Sequence, residues 1–207
     1  MKKLFSLFFI ACCVMTCAFA QKYNIGDVGQ GGGIVFYYSE EGFDVHQPDG
    51  TVKKCNYLEV SKKAIGTTSW CPCKDKCYIR KINSGIGYGK INTYRIIKSE
   101  HSGRVTNNNC AAQACIYFYP LGRGGKYYDW TRGDWFLPSK DEFALLIEAS
   151  NYHSLGLEFS DLGYAHWTSS QCATAGKAWC SIIAGGASKE YEIYKSSKKE
   201  VRPIRAF

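Results

Sequence analysis

The densest grouping of chemically capable side chains is Cys71-Pro72-Cys73, followed by Cys77. Zinc sites grip the ion with paired C-x2-C spacings or with histidines close by, and this cluster has neither, so disulfide chemistry is the better expectation. Cys71 and Cys73 are too close to bond readily to each other, which points to partners outside the cluster, Cys55 among them. The four histidines, His46, His101, His153 and His166, are scattered and form no His-Glu-x-x-His arrangement. No Gly-x-Ser-x-Gly elbow is present to carry a nucleophilic serine. His166, flanked by Trp167, reads as a packed strand residue rather than a base. Asp129 and Asp134, five residues apart, are a weak basis for a hard-cation site. The glycine-rich turn at 26–33 lacks a following Gly-Lys-Ser/Thr and feeds a strand, and Gly85, Gly87 and Gly89 lack the dinucleotide-binding register. No enzyme and no cofactor are therefore expected.

Charge is the more informative chemistry. Between residues 51 and 104 stand twelve cations, Lys53, Lys54, Lys62, Lys63, Lys74, Lys76, Arg80, Lys81, Lys90, Arg95, Lys98 and Arg104, against Glu59, Asp75 and Glu100. That segment is +9, whereas the whole 207-residue chain is +8. If the cysteine-rich loop gathers Lys74, Lys76, Arg80 and Lys81 on one face, its field attracts a polyanion, such as a sulfated glycan, an acidic polysaccharide or lipopolysaccharide phosphate. Lys90 extends this basic set, and Trp130 offers a ring to stack on a sugar. The competing reading is a solvated, solubilising face.

The elements that must position these residues begin after a targeting segment. Lys2 and Lys3 precede an apolar run at 4–17, and Ala18-Phe19-Ala20 has the small-x-small pattern of a signal-peptidase site. The run is shorter than the roughly 20 residues of a spanning helix. Lipoprotein processing at Cys12 is the lesser alternative, because Phe9 is a poor first lipobox residue. Removing residues 1–20 takes away two lysines and three cysteines, leaving a single domain at 21–207 with net charge +6. Its eight cysteines, Cys55, Cys71, Cys73, Cys77, Cys110, Cys115, Cys172 and Cys180, are even in number in an exported chain, so up to four disulfides are expected. Cys172 and Cys180 lie in neighbouring strand-like segments and could bridge a hairpin. No other stretch is apolar enough to cross a bilayer, nucleic acid is not an expected physiological partner, and the destination is outside the cytoplasm, secreted, periplasmic or on the cell surface.

Within the domain, residues 34–38 and 55–60 read as strands, with 40–50 a polar hairpin or loop. A short helix is expected from Asn92 through Ile97, and another over 111–116 capped by Asn109. Trp135-Phe136-Leu137 reads as a strand ended by Pro138. Ser139 and Glu142 then make a capping box for a helix whose apolar face is Phe143, Leu146 and Ile147. The segments 165–170, 178–183, 191–194 and 201–207 read as an antiparallel meander, giving an α+β fold with the terminal strands adjacent.

Taken in order, GDxGxGGGIVFY at 26–37, YLEV at 57–60, IGT at 65–67, NTxxII at 92–97, DWFLPSKDE at 134–142, WTSS at 167–170, Ala178-Trp179 and VRPIRAF at 201–207 resemble the bacterial family of the Legionella collagen-like protein's C-terminal domain. The resemblance covers essentially the whole mature chain. It implies a C-type-lectin-like fold in secreted or surface-attached proteins, the best-known member being an adhesin that binds sulfated glycosaminoglycans. This sequence departs from that adhesin in lacking a collagen-like stalk and in carrying the cysteine-rich insertion and an extra YYDWTRG stretch at 127–133. It also lacks the triplets with which true C-type lectins hold calcium and sugar. The expectation is an adhesin-like binding domain for an anionic host or envelope glycan. The alternatives are a structural or protein-interaction module of the cell envelope and, by fold analogy, an oxidoreductase-like enzyme.

Overall fold

The computed structural model describes residues 23–71, 77–99, 110–118, 134–157, 165–184 and 187–207. Residues 1–20, Cys73, Lys74, Lys76, Asn109, Asp129 and Trp130 lie outside that set, and with them the expectations placed on the leader, Cys12 and those side chains.

The chain opens with a long antiparallel hairpin of β1 (Ile34–His46) and β2 (Val52–Val60), in register from Ile34 opposite Val60 to His46 opposite Val52. The expected polar hairpin or loop at 40–50 is a hairpin, with β1 running on through His46 and the turn confined to 47–51. The register shifts between Tyr38 and Phe43, Gly42 takes a φ of 72°, and pairing then resumes at Phe43 because Phe43 and buried Val45 continue the apolar alternation. Glu40 and Glu41 fall within this irregularity. β2 also pairs with the last strand, β9 (Ile204–Ala206), which pairs on its other side with β4 (Trp135–Phe136). The order β1-β2-β9-β4 lays VRPIRAF beside DWFLP and corrects the expectation of adjacent terminal strands, since the last strand pairs with β2 and β4 and β2 separates it from β1.

A second sheet has the order β3-β8-β5-β6-β7. Its β5 (Ala165–Gln171), β6 (Lys177–Ala184) and β7 (Ala187–Tyr194) form the expected meander. The closing segment does not extend that meander. β8 (Lys199–Glu200) pairs with β3 (Thr67–Thr68) and runs parallel to β5, and the chain then crosses at Pro203, which has no N–H for a ladder, into the first sheet. Two buried indoles lock the β3 region to β5 reciprocally. Trp70 Nε1 donates to the Thr168 carbonyl at 2.7 Å, and Trp167 Nε1 donates to the Thr68 carbonyl at 2.9 Å. The result is α+β, with α1 (Gly89–Lys98), α2 (Ala111–Ile116) and α3 (Lys140–Tyr152) packed on the sheets. No helix among the described residues is long and apolar enough to cross a membrane.

The capping box of α3 forms as read, with Ser139 Oγ accepting from Glu142 N and the Glu142 carboxylate accepting from Ser139 N. α1 begins three residues before the expected Asn92 and has no side-chain cap. At α2 the capping position is Cys110, again without a side-chain cap.

Phe143, Leu146 and Ile147 pack with Phe36, Leu58, Val60, Phe136 and Ile204 against the first sheet. Another cluster fills the space between the second sheet, α1 and α2, and it is rich in thiols. Cys71, Cys77, Cys110, Cys115 and Cys180 pack there with Trp70, Ile96, Leu137, Trp167 and Val201. This corrects the disulfide expectation, since Cys55, Cys110, Cys115, Cys172 and Cys180 are unbonded and buried, serving as small apolar side chains. Cys172 cannot bridge Cys180. Cys172 N bonds to the Lys177 carbonyl, and Cys180 lies three residues further along that strand, about 10 Å at the usual strand rise. Cys110 and Cys115 stand five apart across α2, on different faces of its turn. Nor does the cluster reach out to Cys55; instead the sulfurs of Cys71 and Cys77 approach each other to 3.4 Å.

Candidate functional site

Both glycine-rich motifs wrap carboxylates of the protein itself. Glu59 is fully buried on β2 and accepts from Gly31 N at 2.8 Å, Gly33 N at 2.9 Å and Arg205 Nη1 at 2.7 Å. A Cβ on Gly29 or Gly31 would stand 2.6 Å from a Glu59 oxygen, so the glycines are required by close approach. The second motif does the same for Glu142, whose Oε1 accepts from Gly87 N at 2.9 Å and Gly89 N at 3.4 Å while its Oε2 serves the capping box. Turns that resemble anion cradles are thus already filled by internal anions, and neither is open to a phosphate.

The basic residues divide sharply according to whether a carboxylate answers them. Lys54 lies 3.7 Å from Asp44, Lys140 2.8 Å from Glu190, Lys177 3.9 Å from Glu192, and Arg205 bonds both Glu59 and Asp134. Lys90 joins this paired group. Its side chain is largely buried at the start of α1, 3.8 Å from Asp134, and burial lowers its ammonium pKa while Asp134 pulls the other way. Asp134, considered above for a cation, is committed to Lys90 and Arg205.

Arg80, Lys81 and Arg95 have no carboxylate partner among the described residues. Arg80 and Lys81 are exposed on the loop at 79–83, and three side chains clamp that loop from below. Gln171 holds its start, accepting from Ile79 N at 3.0 Å and donating to the Ile79 carbonyl. Asn92 holds its end, accepting from Asn83 N at 3.1 Å and donating to the Asn83 carbonyl at 2.6 Å. Between them Arg95 Nη1 donates to the Lys81 carbonyl. Lys81 takes a φ of 63°, a conformation that costs a non-glycine residue about 1 kcal/mol or more and persists because the surroundings impose it. Lys98, exposed in the last turn of α1, follows Arg95 by three residues on the same helix.

Of the residues singled out from sequence, Arg80 and Lys81 therefore stand together on one preorganised loop, and Lys90 stands apart from them in an ion pair. Arg95 was visible in the sequence only as one of twelve cations, although its i, i+3 spacing to Lys98 marks a shared helix face. The clamping amides Gln171 and Asn92 carry no local sequence signal, because Gln171 is 92 residues from the backbone it holds.

A cleft of about 370 Å³ lies between β1 and α3, lined by Ile25, Tyr37, Tyr38, Leu145, Tyr152 and others. Its lining carries Glu148 and His153 but no lysine or arginine, so it offers a polyanion no fixed positive charge. Among the described residues no three His, Cys, Asp or Glu side chains gather as a metal site.

Neither a protein-family model nor a curated protein matches the chain.

Proposed function

We propose that this protein is an exported, adhesin-like binding domain that recognises an anionic glycan through the loop carrying Arg80 and Lys81, with Arg95 and Lys98 beside it. The observation that carries the reading is the contrast between paired and unpaired cations. A solubilising surface needs no particular backbone, whereas here two cations are held forward by Gln171, Asn92 and Arg95 with no carboxylate partner among the described residues. Preorganisation lowers the entropy lost on binding, and an unneutralised patch steers a polyanion toward it. Lys74 and Lys76 precede Arg80 by six and four residues in the sequence.

The C-type-lectin-like reading of the fold rests on the resemblance of GDxGxGGGIVFY, DWFLPSKDE and VRPIRAF to the Legionella-type domain. The α+β architecture, with the last strand in the same sheet as the opening hairpin, is compatible with it. Sulfate or carboxylate groups on a polysaccharide are the expected targets, bound without calcium and without chemical turnover. On a glycan array the mature domain is expected to bind sulfated glycosaminoglycans and to ignore their desulfated counterparts. Equal binding to both would overturn the reading.

A further inference from the structure

The cleft between β1 and α3, which has nothing to hold a polyanion, suits the opposite charge. α3 carries two stripes. Phe143, Leu146 and Ile147 pack on the first sheet, whereas Leu145, Glu148 and Tyr152, spaced i, i+3 and i+7, line the cleft. The facing wall is β1, where Phe36, Tyr37 and Tyr38 all border the same space. Consecutive residues of a regular strand point to opposite faces, so three in a row on one cleft require a break in the pleat. Pairing with β2 supplies it, slipping between Val35 and Tyr37 and again after Tyr38. Tyr38 and Tyr152 are 40% and 78% exposed, and with Tyr37 they bring three aromatic side chains to a volume of about 370 Å³, the scale of a small-molecule site.

Charge narrows the occupant. Glu148 is exposed and has no cation partner among the described residues. α3 ends at Tyr152 with no basic residue in its last turn, whereas α1 ends on Arg95 and Lys98. The carbonyls at a helix C-terminus carry partial negative charge and are ordinarily answered by a cation. Here Glu148 stands about one turn from that end, so carboxylate and dipole have the same sign and no lysine or arginine of the cleft opposes them. Glu40 and Glu41, exposed just beyond Tyr38, deepen the negative potential. The other polar side chain at the rim is His153, the C-cap of α3.

We propose that this cleft binds a free, small organic cation with an apolar body, of the quaternary ammonium type. Such a group donates no hydrogen bonds and is held instead by aromatic rings and a nearby carboxylate. An anion would be repelled by Glu148, and a neutral hydrocarbon would gain nothing from it. The assignment goes beyond the anionic-glycan reading and does not rest on it, since none of Arg80, Lys81, Arg95 and Lys98 lines the cleft.

The experiment titrates the mature protein with benzyltrimethylammonium and follows the backbone amide resonances. Saturable shifts are expected along residues 34–38 and 145–153, with a Kd on the order of 1 mM or below. Benzyl alcohol, which keeps the ring without the charge, should bind at least about tenfold more weakly, and benzoate should not bind. Glu148→Gln keeps the shape of the cleft and is expected to weaken the ammonium about three- to tenfold while leaving benzyl alcohol unchanged. Tyr152→Leu should weaken the ammonium about two- to fivefold. Both positions are exposed, so both variants are expected to keep the wild-type amide spectrum away from the cleft. Benzyl alcohol binding as tightly as the ammonium would reduce the cleft to an apolar groove and overturn the proposal. So would an unchanged affinity in either variant, the absence of a saturable shift, or shifts confined to other parts of the chain. Phosphatidylcholine vesicles provide a second arm: co-sedimentation with vesicles without binding of the free ammonium would assign the cleft to a membrane surface and contradict the proposal equally.

Discussion

Glu142 shows how one side chain can organise two segments far apart in sequence. Its carboxylate closes the capping box of α3 and also gathers the Gly87 and Gly89 amides that lead into α1. Burial raises its pKa from 4.5 to about 7, against the pull of the donors around it. Between those two pH values the folded protein holds a proton that the unfolded chain has released. The stability this group contributes is therefore complete below pH 4.5 and is lost as pH rises through 7. Glu142→Gln is expected to flatten the fall in denaturation midpoint between pH 5 and pH 8. It should also cost about 1–3 kcal/mol overall, because an amide nitrogen cannot accept from Ser139 N. Chemical denaturation of both proteins at the two pH values checks this, and parallel pH slopes would show that Glu142 is not the titrating group.

At the scale of elements, the glycine motifs and the clamped loop are the informative pieces. Gly87 has a φ of 83°, and a Cβ there would fall 1.8 Å from the Asp44 carbonyl oxygen on β1. Gly87→Ala is expected to destabilise the fold by more than about 3 kcal/mol, combining left-handed strain with a backbone clash that no rotamer relieves. Gly50→Ala, at a φ of 88° but in open space, should cost only about 1 kcal/mol, read from the same thermal melts. Equal losses would remove the close-approach explanation. These motifs were legible as special backbone but not as carboxylate cradles, because Glu59 and Glu142 lie 26 and 55 residues from the amides they meet. DWFLPSKDE was readable in full, since a capping box is a local bargain between positions three apart. The strand past Tyr38 was missed for the opposite reason: the irregularity that resets its register is imposed by pairing with β2.

For the molecule as a whole, composition suggested the opposite of what the thiols do. The even set of eight cysteines beyond residue 20, in a chain expected to be exported, reads as a disulfide framework, yet five of the eight are unbonded and buried. A chain this long buries enough surface to fold around an apolar core, and thiols fill such a core well. The basic segment was legible as a charge excess, but sequence alone could not separate its carboxylate-paired cations from the others. That division depends on where Asp44 and Asp134 come to lie. The central claim, that the unpaired cations bind, is tested most directly by removing two charges in two different places. Arg80→Ala with Lys81→Ala and Lys54→Ala with Lys177→Ala each lower the net charge by the same amount, and heparin retention is measured for both across a salt series. Loss of Arg80 and Lys81 is expected to weaken binding about five- to thirtyfold at moderate salt and to flatten the salt dependence, at roughly 0.5–1 kcal/mol per contact. Loss of the paired lysines should leave retention near wild type. If the two double variants elute together, net charge alone governs retention and the clamped loop is not the site.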